Sequence, residues 1–309
     1  MTNGATNGDA IAIRGVTKYF GDYAAVADLS LSVPRGSVYG FIGPNGSGKT
    51  TTLRMAMNIM FPDAGEIVVL GERTTAAARD RVSYLPEERG LYKKMTVREV
   101  LRYYGRLKSV PRARLDGAID AWLERLQIAD RAGLKVESLS KGQAQKVQFI
   151  SSVVSEPELL ILDEPFSGLD PVNAEALKDA VLQLRDRGTT IVFSTHDMST
   201  AERLCDRIFM IFRGKKVLDG TLAEIQEQYG ADTIRVRTDG GRAALDGMPG
   251  VDKVVDQGNV QEVRVSGDPQ AFLRALVART KVHQFEVTRP SLHDIFVRIA
   301  RPGEAEEPS

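Results

Sequence analysis

Glycines, a lysine and two hydroxyl side chains follow one another in the segment GPNGSGKTT, which spans Gly43 to Thr51. Glycine permits the backbone turns that aim N–H groups at a phosphate, and the lysine adds a mobile cation for β- and γ-phosphates. The threonine directly after the lysine presents a hydroxyl to Mg²⁺. A strand-like run precedes the segment and a helix-like run follows it, as a phosphate loop requires. We therefore predict a nucleoside triphosphate site that includes Gly43, Asn45, Gly46, Ser47, Gly48, Lys49, Thr50 and Thr51.

Two acids end the apolar run LLILDEP, which begins at Leu159. A strand of this kind delivers its last side chains to the carboxyl end of a parallel sheet, where ligands bind. We predict that Asp163 holds Mg²⁺ through the water shell of the ion. Glu164 is predicted to polarise the attacking water.

A histidine ends the next apolar run, in the segment STHD. A lone histidine is usually structural, but one at the carboxyl end of a neighbouring strand can reach a γ-phosphate. We favour the second interpretation for His196. The settings of His283 and His293 offer no such role, and no histidine–cysteine–acid cluster indicates zinc.

The segment LSKGQ, from Leu139 to Gln143, opens the helix-like run AQKVQFISSVV. A hydroxyl and free N–H groups at a helix N-terminus form an anion site. The sequence thus contains a second candidate phosphate site, although the first loop already serves one set of phosphates.

The elements that must position these residues alternate between strand and helix as far as about residue 230. SVYGFIG precedes KTTTLRMAMNIM, LLILD precedes NAEALKDAVLQLRDR, and TTIVFS follows. This alternation predicts an α/β fold with a mainly parallel sheet. Three early runs, IAIRGV, AVADLSLSV and GEIVVLG, are rich in β-branched residues and predict an additional antiparallel layer.

A helical subdomain is predicted at about residues 88–157, inserted into the sheet domain. One helix begins near Pro111 and places an apolar face toward the core. That face consists of Leu115, Ile119, Trp122, Leu123 and Leu126.

The order of elements changes after residue 230. Residues 231–301 show the order β-α-β-β-α-β, which is typical of a small ferredoxin-like α+β domain. We therefore predict a nucleotide-binding domain at 1–230, an accessory domain at 231–301, and a disordered tail at 302–309.

The bulk composition restricts the partners and the compartment. The 309 residues contain 41 basic and 41 acidic side chains, so no basic surplus indicates nucleic acid as a partner. The single cysteine allows no internal disulfide, which fits a reducing cytoplasm. No apolar run approaches the roughly 20 residues that span a bilayer, and the N-terminus does not resemble a secretory signal. Any membrane role would come through a partner.

The ordered set GPNGSGKTT, LSKGQ, LLILDEP, SGLDP and STHD resembles the ATP-binding subunit of an ABC transporter, over residues 10–230. The resemblance implies ATP and Mg²⁺ as cofactors and two subunits that bind ATP head to tail. Ser140, Gly142 and Gln143 would close over the γ-phosphate held by the second subunit. A separately encoded transmembrane permease would be the other partner, at the inner face of the cell membrane.

Two further site residues follow from the resemblance. In TKYFG, Phe20 is similar to an aromatic that stacks on adenine, with a buried core ring as the alternative. In SYLPEERGLY, Glu87 stands where the family normally has a glutamine that senses Mg²⁺ and contacts the permease. This segment and the later segment PSLHDIF resemble those of exporters of the sodium-efflux and drug-resistance type.

Other kinds of ABC-type ATPase are the main competitors. DNA-maintenance ATPases interrupt the domain with a long coiled coil, and the sequence contains no sustained heptads. ABC-type translation factors carry two cassettes and a basic linker, whereas this sequence has one cassette. A non-catalytic regulatory subunit is opposed by the presence of Glu164 and His196.

Overall fold

The computed structural model describes residues 8–73, 78, 80–88, 90–229 and 233–300. Contacts divide the chain into two compact units, residues 1–221 and 222–309. In chain order the first unit contains β1 (Asp9–Phe20), β2 (Tyr23–Pro34), β3 (Val38–Ile42), α1 (Lys49–Ala56), β4 (Ala64–Val69), β5 (Val82–Leu85), α2 (Val97–Leu107), α3 (Arg112–Arg125), α4 (Lys141–Val153), β6 (Leu159–Asp163), α5 (Pro171–Asp186), β7 (Thr190–Thr195), α6 (Met198–Leu204), β8 (Arg207–Phe212) and β9 (Lys215–Gly220). Within the described ranges, no helix is sufficiently long and apolar to span a membrane.

A six-stranded sheet in the order β5-β6-β7-β3-β8-β9 forms the centre of the first unit. All neighbours are parallel except β8 and β9, which form an antiparallel hairpin. Strands β3, β6 and β7 are buried along their whole length. Their side chains alternate between two hydrophobic clusters, with Leu160 and Leu162 in one and Leu159 and Ile161 in the other. The parallel strands therefore read as continuous apolar runs because both faces of the sheet are covered.

The predicted antiparallel layer is present as a three-stranded sheet in the order β2-β1-β4. The helix predicted from KTTTLRMAMNIM is shorter than expected, because α1 ends at Ala56. Asn58 has a left-handed φ of 57°, which a continuing helix does not allow.

Three helices, α2, α3 and α4, lie between β5 and β6, where the sequence predicts a helical subdomain. The five apolar side chains predicted on one face of α3 are all buried at its core. Trp122 packs edge to face on Phe149 of α4, with ring centroids 5.9 Å apart. The aromatic pair connects α3 to the helix that begins with the LSKGQ segment.

The second unit contains α7 (Leu222–Gln228), β10 (Thr233–Thr238), β11 (Val251–Asp256), β12 (Gln261–Val265), α8 (Pro269–Arg279), β13 (Val282–Thr288) and α9 (Leu292–Ala300). Its sheet is antiparallel, in the order β11-β12-β10-β13. This is the ferredoxin-like arrangement that the sequence predicts. The first helix of that motif is reduced to a short 3₁₀ turn at Gly241–Ala244.

Helix α7 belongs with the second unit, whereas the sequence places residues up to 230 with the first. Gln226 Nε2 donates to the carbonyl of Pro290 at 3.0 Å, and Arg298 Nη1 donates to the carbonyl of Tyr229 at 3.3 Å. These bonds join the end of α7 to α9 and its approach. Residues 230–232 and the tail 302–309, on which the other predicted boundaries fall, lie outside the described residues.

Candidate functional site

The phosphate loop connects β3, in the middle of the parallel sheet, to α1. Two of its positions require glycine. A Cβ at Gly43 would collide with the carbonyl oxygen of Ile211, and one at Gly48 would lie 2.5 Å from that of Ala25. Gly48 also has a φ of 107°, which L-residues rarely adopt. The loop therefore runs closely against its neighbours, and only glycine permits this path.

Lys49 folds back over this loop and is almost completely buried. Its Nζ donates to the carbonyl of Gly43 at 2.8 Å and to that of Pro44 at 3.3 Å. The same Nζ lies 3.6 Å from Glu164 Oε1. Because a buried ammonium needs compensating partners, these contacts hold the cation at the loop.

Ser47 offers a direct test of whether the loop fits a phosphate. Its Oγ is buried and has no hydrogen-bond partner among the described residues. Buried hydroxyls are normally paired, and an unpaired one needs an explanation. A phosphate oxygen at the loop would supply the missing partner, so the residues present fit the predicted nucleotide.

Asp163 is completely buried at the end of β6 and accepts three hydroxyl hydrogen bonds. Thr50 Oγ1 and Ser194 Oγ donate to its Oδ1 at 3.2 and 2.5 Å, and the Tyr84 hydroxyl donates to its Oδ2 at 3.2 Å. Burial, and next the charge of Asp163, raise the pKa of Tyr84 to about 12, so the phenol remains a donor at neutral pH. The carboxylate and the Thr50 hydroxyl together form an oxygen pair of the kind that Mg²⁺ prefers.

Glu164 lies between a lysine and a histidine. His196 Nδ1 is 3.0 Å from its Oε1, the oxygen that also faces Lys49. The Glu164 backbone has a left-handed φ of 49°, and its N–H donates to Ser194 Oγ at 3.0 Å. Glu164 is buried while His196 is half-exposed, so this contact connects the interior of the sheet to the surface.

A cavity of about 360 Å³ opens above the loop. It is lined by Phe20, Tyr23, Ala25, Asn45, Gly46, Gly48, Lys49, Thr50, Thr51, Glu87 and Glu164. The Phe20 side chain is half-exposed, which contradicts the alternative of a buried core ring. Tyr23 and Ala25 were not predicted. Tyr23 lies opposite Phe20 in the β1–β2 hairpin. Because residues that lie opposite each other in a hairpin project to the same face, the sequence could have indicated Tyr23 as a second aromatic at the site.

Glu87 reaches the cavity on a loop that a side chain of α4 holds in place. Gln148 is buried, and its Nε2 donates to the carbonyls of Pro86 at 3.2 Å and Glu88 at 3.1 Å. One amide thus fixes the backbone on both sides of Glu87. The sequence gives no sign of this, because Gln148 lies in an ordinary helical run.

The LSKGQ segment lies apart from that cavity. Ser140 caps α4, where its Oγ accepts from the N–H of Gln143 at 3.3 Å and Gln143 Oε1 accepts from the N–H of Ser140 at 3.0 Å. A Cβ at Gly142 would lie 2.7 Å from Asn173 Nδ2, so α5 approaches closely there. Ser140, Gly142 and Gln143 do not contribute to the cavity lining found among the described residues.

A phosphate loop in a parallel sheet, with two acids and a histidine on adjacent strand ends, defines a phosphate-loop ATPase. Residues 26–167 match the family model described as ABC transporter, and residues 220–300 match that of the ATP-binding protein DrrA1-3-like, C-terminal domain. An uncharacterized ABC transporter ATP-binding protein of Bacillus subtilis, YhaQ, is 41% identical over 93% of this chain and 97% of its own length. The chain belongs to the ATP-binding subunits of ABC transporters.

Two further comparisons agree with this assignment. The Nod factor export ATP-binding protein I of Rhizobium sp. strain N33 is 34% identical over 94% of this chain and 96% of its own length. A solved structure of the ATP-binding subunit of an ABC transporter superimposes with a TM-score of 0.67 and 31% identity, over 72% of this chain and 93% of the other. The expected fold class and ATPase activity are thus confirmed. A soluble ATPase for DNA maintenance or translation is not favoured, because the relatives are transport proteins along nearly their whole length.

As members of this family do, the chain binds ATP and works with a transmembrane permease.

Proposed function

We propose that the chain powers export, as one of two identical subunits that close head to tail around two ATP molecules. The observation that carries this proposal is the separation of two phosphate-binding features. The loop cavity contains Lys49, whereas the capped start of α4 at Ser140 does not contribute to it. A site completed by the Ser140 of the other subunit gives both features a use, and such an interface is isologous.

The loop side of each site performs three tasks. Lys49 and the N–H groups of the loop bind the β- and γ-phosphates, and Phe20 with Tyr23 stacks on the adenine. Thr50 and Asp163, with Glu87 at the rim, hold Mg²⁺, which neutralises phosphate charge when bound. Ser47 adds its unpaired hydroxyl to a phosphate oxygen.

Hydrolysis is assigned to the two residues that share one hydrogen bond. Glu164 orients the attacking water and accepts its proton, because it directly follows the end of a strand beside the phosphate loop, where its Oε1 lies near Lys49 and His196. His196 holds that carboxylate in position and contacts the γ-phosphate. Ser140, Gly142 and Gln143 of the other subunit complete the phosphate cage.

Export as the direction rests on the relatives. The Rhizobium protein is named for Nod factor export, and the second unit matches the DrrA-like C-terminal domain. We place the subunit at the inner face of the cell membrane, beside a separately encoded permease. The permease contact includes the loop of Glu87, which α4 holds through Gln148.

Mixing two inactive variants tests the composite site. Ser140→Arg obstructs the partner's phosphates but retains a sound loop, and Lys49→Ala does the opposite. Neither alone should hydrolyse ATP, whereas their mixture should recover part of the activity through one intact site per mixed dimer. Ser32→Arg, the same change at an exposed position of β2, is the control and should behave as wild type. A mixture as inactive as its components would contradict the head-to-tail arrangement.

A further inference from the structure

Helices α2 and α3 run in opposite directions past each other, as the order of two ion pairs between them shows. Arg98 Nη2 lies 2.6 Å from Asp120 Oδ1, and Arg102 Nε lies 2.6 Å from Asp116 Oδ1. The partners are four residues apart in both helices, so each pair is one helical turn from the next. Two opposite-charge pairs thus cross this helix interface.

The next turn breaks the alternation of signs. One turn beyond the second pair, α2 presents Arg106, four residues after Arg102, and α3 presents Arg112, four residues before Asp116. Both are arginines. Neither has a carboxylate within ion-pair distance in the described part of the chain. By contrast, Arg114, two residues along α3, pairs with Glu156 at 2.9 Å. The first turn of α3 contains no acid, and the acid that faces Arg112 is Asp116, which already pairs with Arg102.

The two helices pack closely beside these charges. A Cβ at Gly105 would collide with Leu115 Cδ1, so α2 and α3 approach as closely as a glycine permits. Beside this contact lies a cavity of about 80 Å³, which we call the arginine cavity. It is lined by Arg102, Arg106, Arg112, Leu115 and Asp116.

The arginine cavity has an excess of positive charge. Three guanidinium groups face one carboxylate, and Arg102 already occupies that carboxylate through Nε. The hydrogen bond from Arg102 also holds the pKa of Asp116 below its usual range, so the pair is fully ionised at neutral pH. The charge of Asp116 also attracts Arg112, so this one carboxylate is shared among the guanidinium groups and the cavity keeps a net positive charge.

We propose that the arginine cavity binds the phosphate group of a small anion or of a lipid headgroup. Guanidinium groups present paired N–H donors that match the oxygens of a phosphate. The volume exceeds the roughly 10–15 Å³ that one water needs, and it is far smaller than the 360 Å³ cavity above the phosphate loop. The site thus suits a single phosphate group rather than a nucleotide. Binding offsets the net positive charge of the cavity.

The first test measures inorganic phosphate binding by calorimetry at low salt, because salt screens exposed charges. The full chain with Lys49→Ala is used, so that the phosphate loop lacks its cation. Adding Arg112→Gln should weaken binding by about tenfold or more, since a hydrogen bond to a charged group is lost. Adding Arg114→Gln, the same charge change outside the cavity, should leave it unchanged. Equal losses in both, or no binding by the parent, would overturn the proposal.

A thermal melt excludes a purely structural role for the two arginines. Without phosphate, Arg106→Gln/Arg112→Gln should melt no lower than wild type, because neither side chain forms an ion pair with a described residue and the net positive charge of the cavity falls. Phosphate should raise the melting temperature of wild type but not of the double variant, with chloride as the matched salt. A double variant that melts lower and still responds to phosphate would contradict the site.

Vesicles identify the source of the phosphate. Wild-type chain should sediment with phosphatidylcholine vesicles that contain phosphatidic acid, and Arg112→Gln should not, if a lipid headgroup occupies the cavity. Phosphate binding without vesicle binding assigns the site to a free anion. Only the lipid source depends on the membrane location proposed above. Phosphate binding needs neither ATP nor a second subunit, so this proposal and the composite ATP site fail independently.

Discussion

The two units of the chain differ in whether charged side chains are buried. Among its described residues, the first unit buries five charged side chains so that each is less than a tenth exposed, namely Lys49, Lys146, Asp163, Glu164 and Lys178. In the described part of the second unit, the buried polar residues are the uncharged Thr238 and Gln261. Burying a charge costs several kcal/mol unless partners compensate it. The first unit therefore bears a cost that the second avoids.

Sheet topology explains where that cost falls. In the first unit the parallel strands β6, β7 and β3 all end at one edge, so Asp163, His196 and the loop at Gly43 converge there. In the antiparallel sheet of the second unit, neighbouring strands end at opposite edges, and their last residues separate. A parallel sheet thus gathers polar groups for a ligand, as the ends of such sheets commonly do.

The largest effect is expected from Glu164→Gln, which removes the proposed base without changing the shape of the residue. ATP hydrolysis should slow by roughly 10²–10⁴, the usual contribution of a general base, and ATP with Mg²⁺ should trap a dimer. Glu262→Gln, on the sheet of the second unit, is the control and should change neither quantity. Phosphate release and light scattering measure the two. An unchanged rate in Glu164→Gln would show that the carboxylate at the end of the parallel sheet is no more important for hydrolysis than one on the antiparallel sheet.

The next largest effect is expected from Lys49→Ala, on the affinity for ATP. ATP affinity should fall by about 100-fold, because hydrogen bonds to two charged phosphate groups are lost and Glu164 loses its cationic neighbour. Lys178 is equally buried but pairs with Glu175 at 2.9 Å, away from the cavity. Lys178→Ala should therefore lower the melting temperature and leave ATP affinity intact. Calorimetry measures the ATP affinity of both variants. It distinguishes a buried lysine that binds the ligand from one that contributes only to stability.

Sequence reasoning succeeded where a motif lies at a strand end. The loop residues, Asp163, Glu164 and His196 occupy such positions, and each strand before them is a continuous apolar run. Because the topology of a parallel sheet brings strand ends together, their proximity could be predicted without any contact information.

Long-range hydrogen bonds and irregular ends could not be predicted. Tyr84 is 79 residues and Ser194 is 31 residues from Asp163, yet both bond to it, since they lie on the adjacent strands. Strand β9 was missed because KKVLDG is polar and contains one β-branched residue, so its pairing with β8 decides its conformation. Helix α1 ends early at a backbone conformation that no periodicity reveals.

A smaller effect is expected from Glu87→Gln at the cavity rim. The wild-type carboxylate adds negative charge near the phosphates, and Mg²⁺ compensates it only while bound. The ratio of ATP affinities with and without Mg²⁺ should fall by about fivefold in the variant, because a unit charge at 4 Å in water is worth about 1 kcal/mol. Turnover should persist. Glu88→Gln, next in the chain but absent from the cavity lining, is the control, and superimposable Mg²⁺ titrations for wild type and Glu87→Gln would refute the role.

The smallest effect tests the independence of the two units. A chain that ends at Thr221 should bind ATP within about twofold of the full chain, which is the margin expected when a removed segment is independent of the site. All lining residues of the nucleotide cavity lie in the first unit, and each unit has its own hydrophobic cluster.

The position of the cut sharpens this test. A chain that ends at Gly230 retains α7 but loses Pro290 and α9, to which the end of α7 is hydrogen-bonded. Its Ile225 is 1% exposed in the full chain, and a cut that removes the residues covering it would leave an apolar side chain in water. The chain cut at Thr221 should therefore be the more soluble of the two, while both bind ATP. If only the longer chain folds, α7 contributes to the core of the first unit, and the two units are not separate.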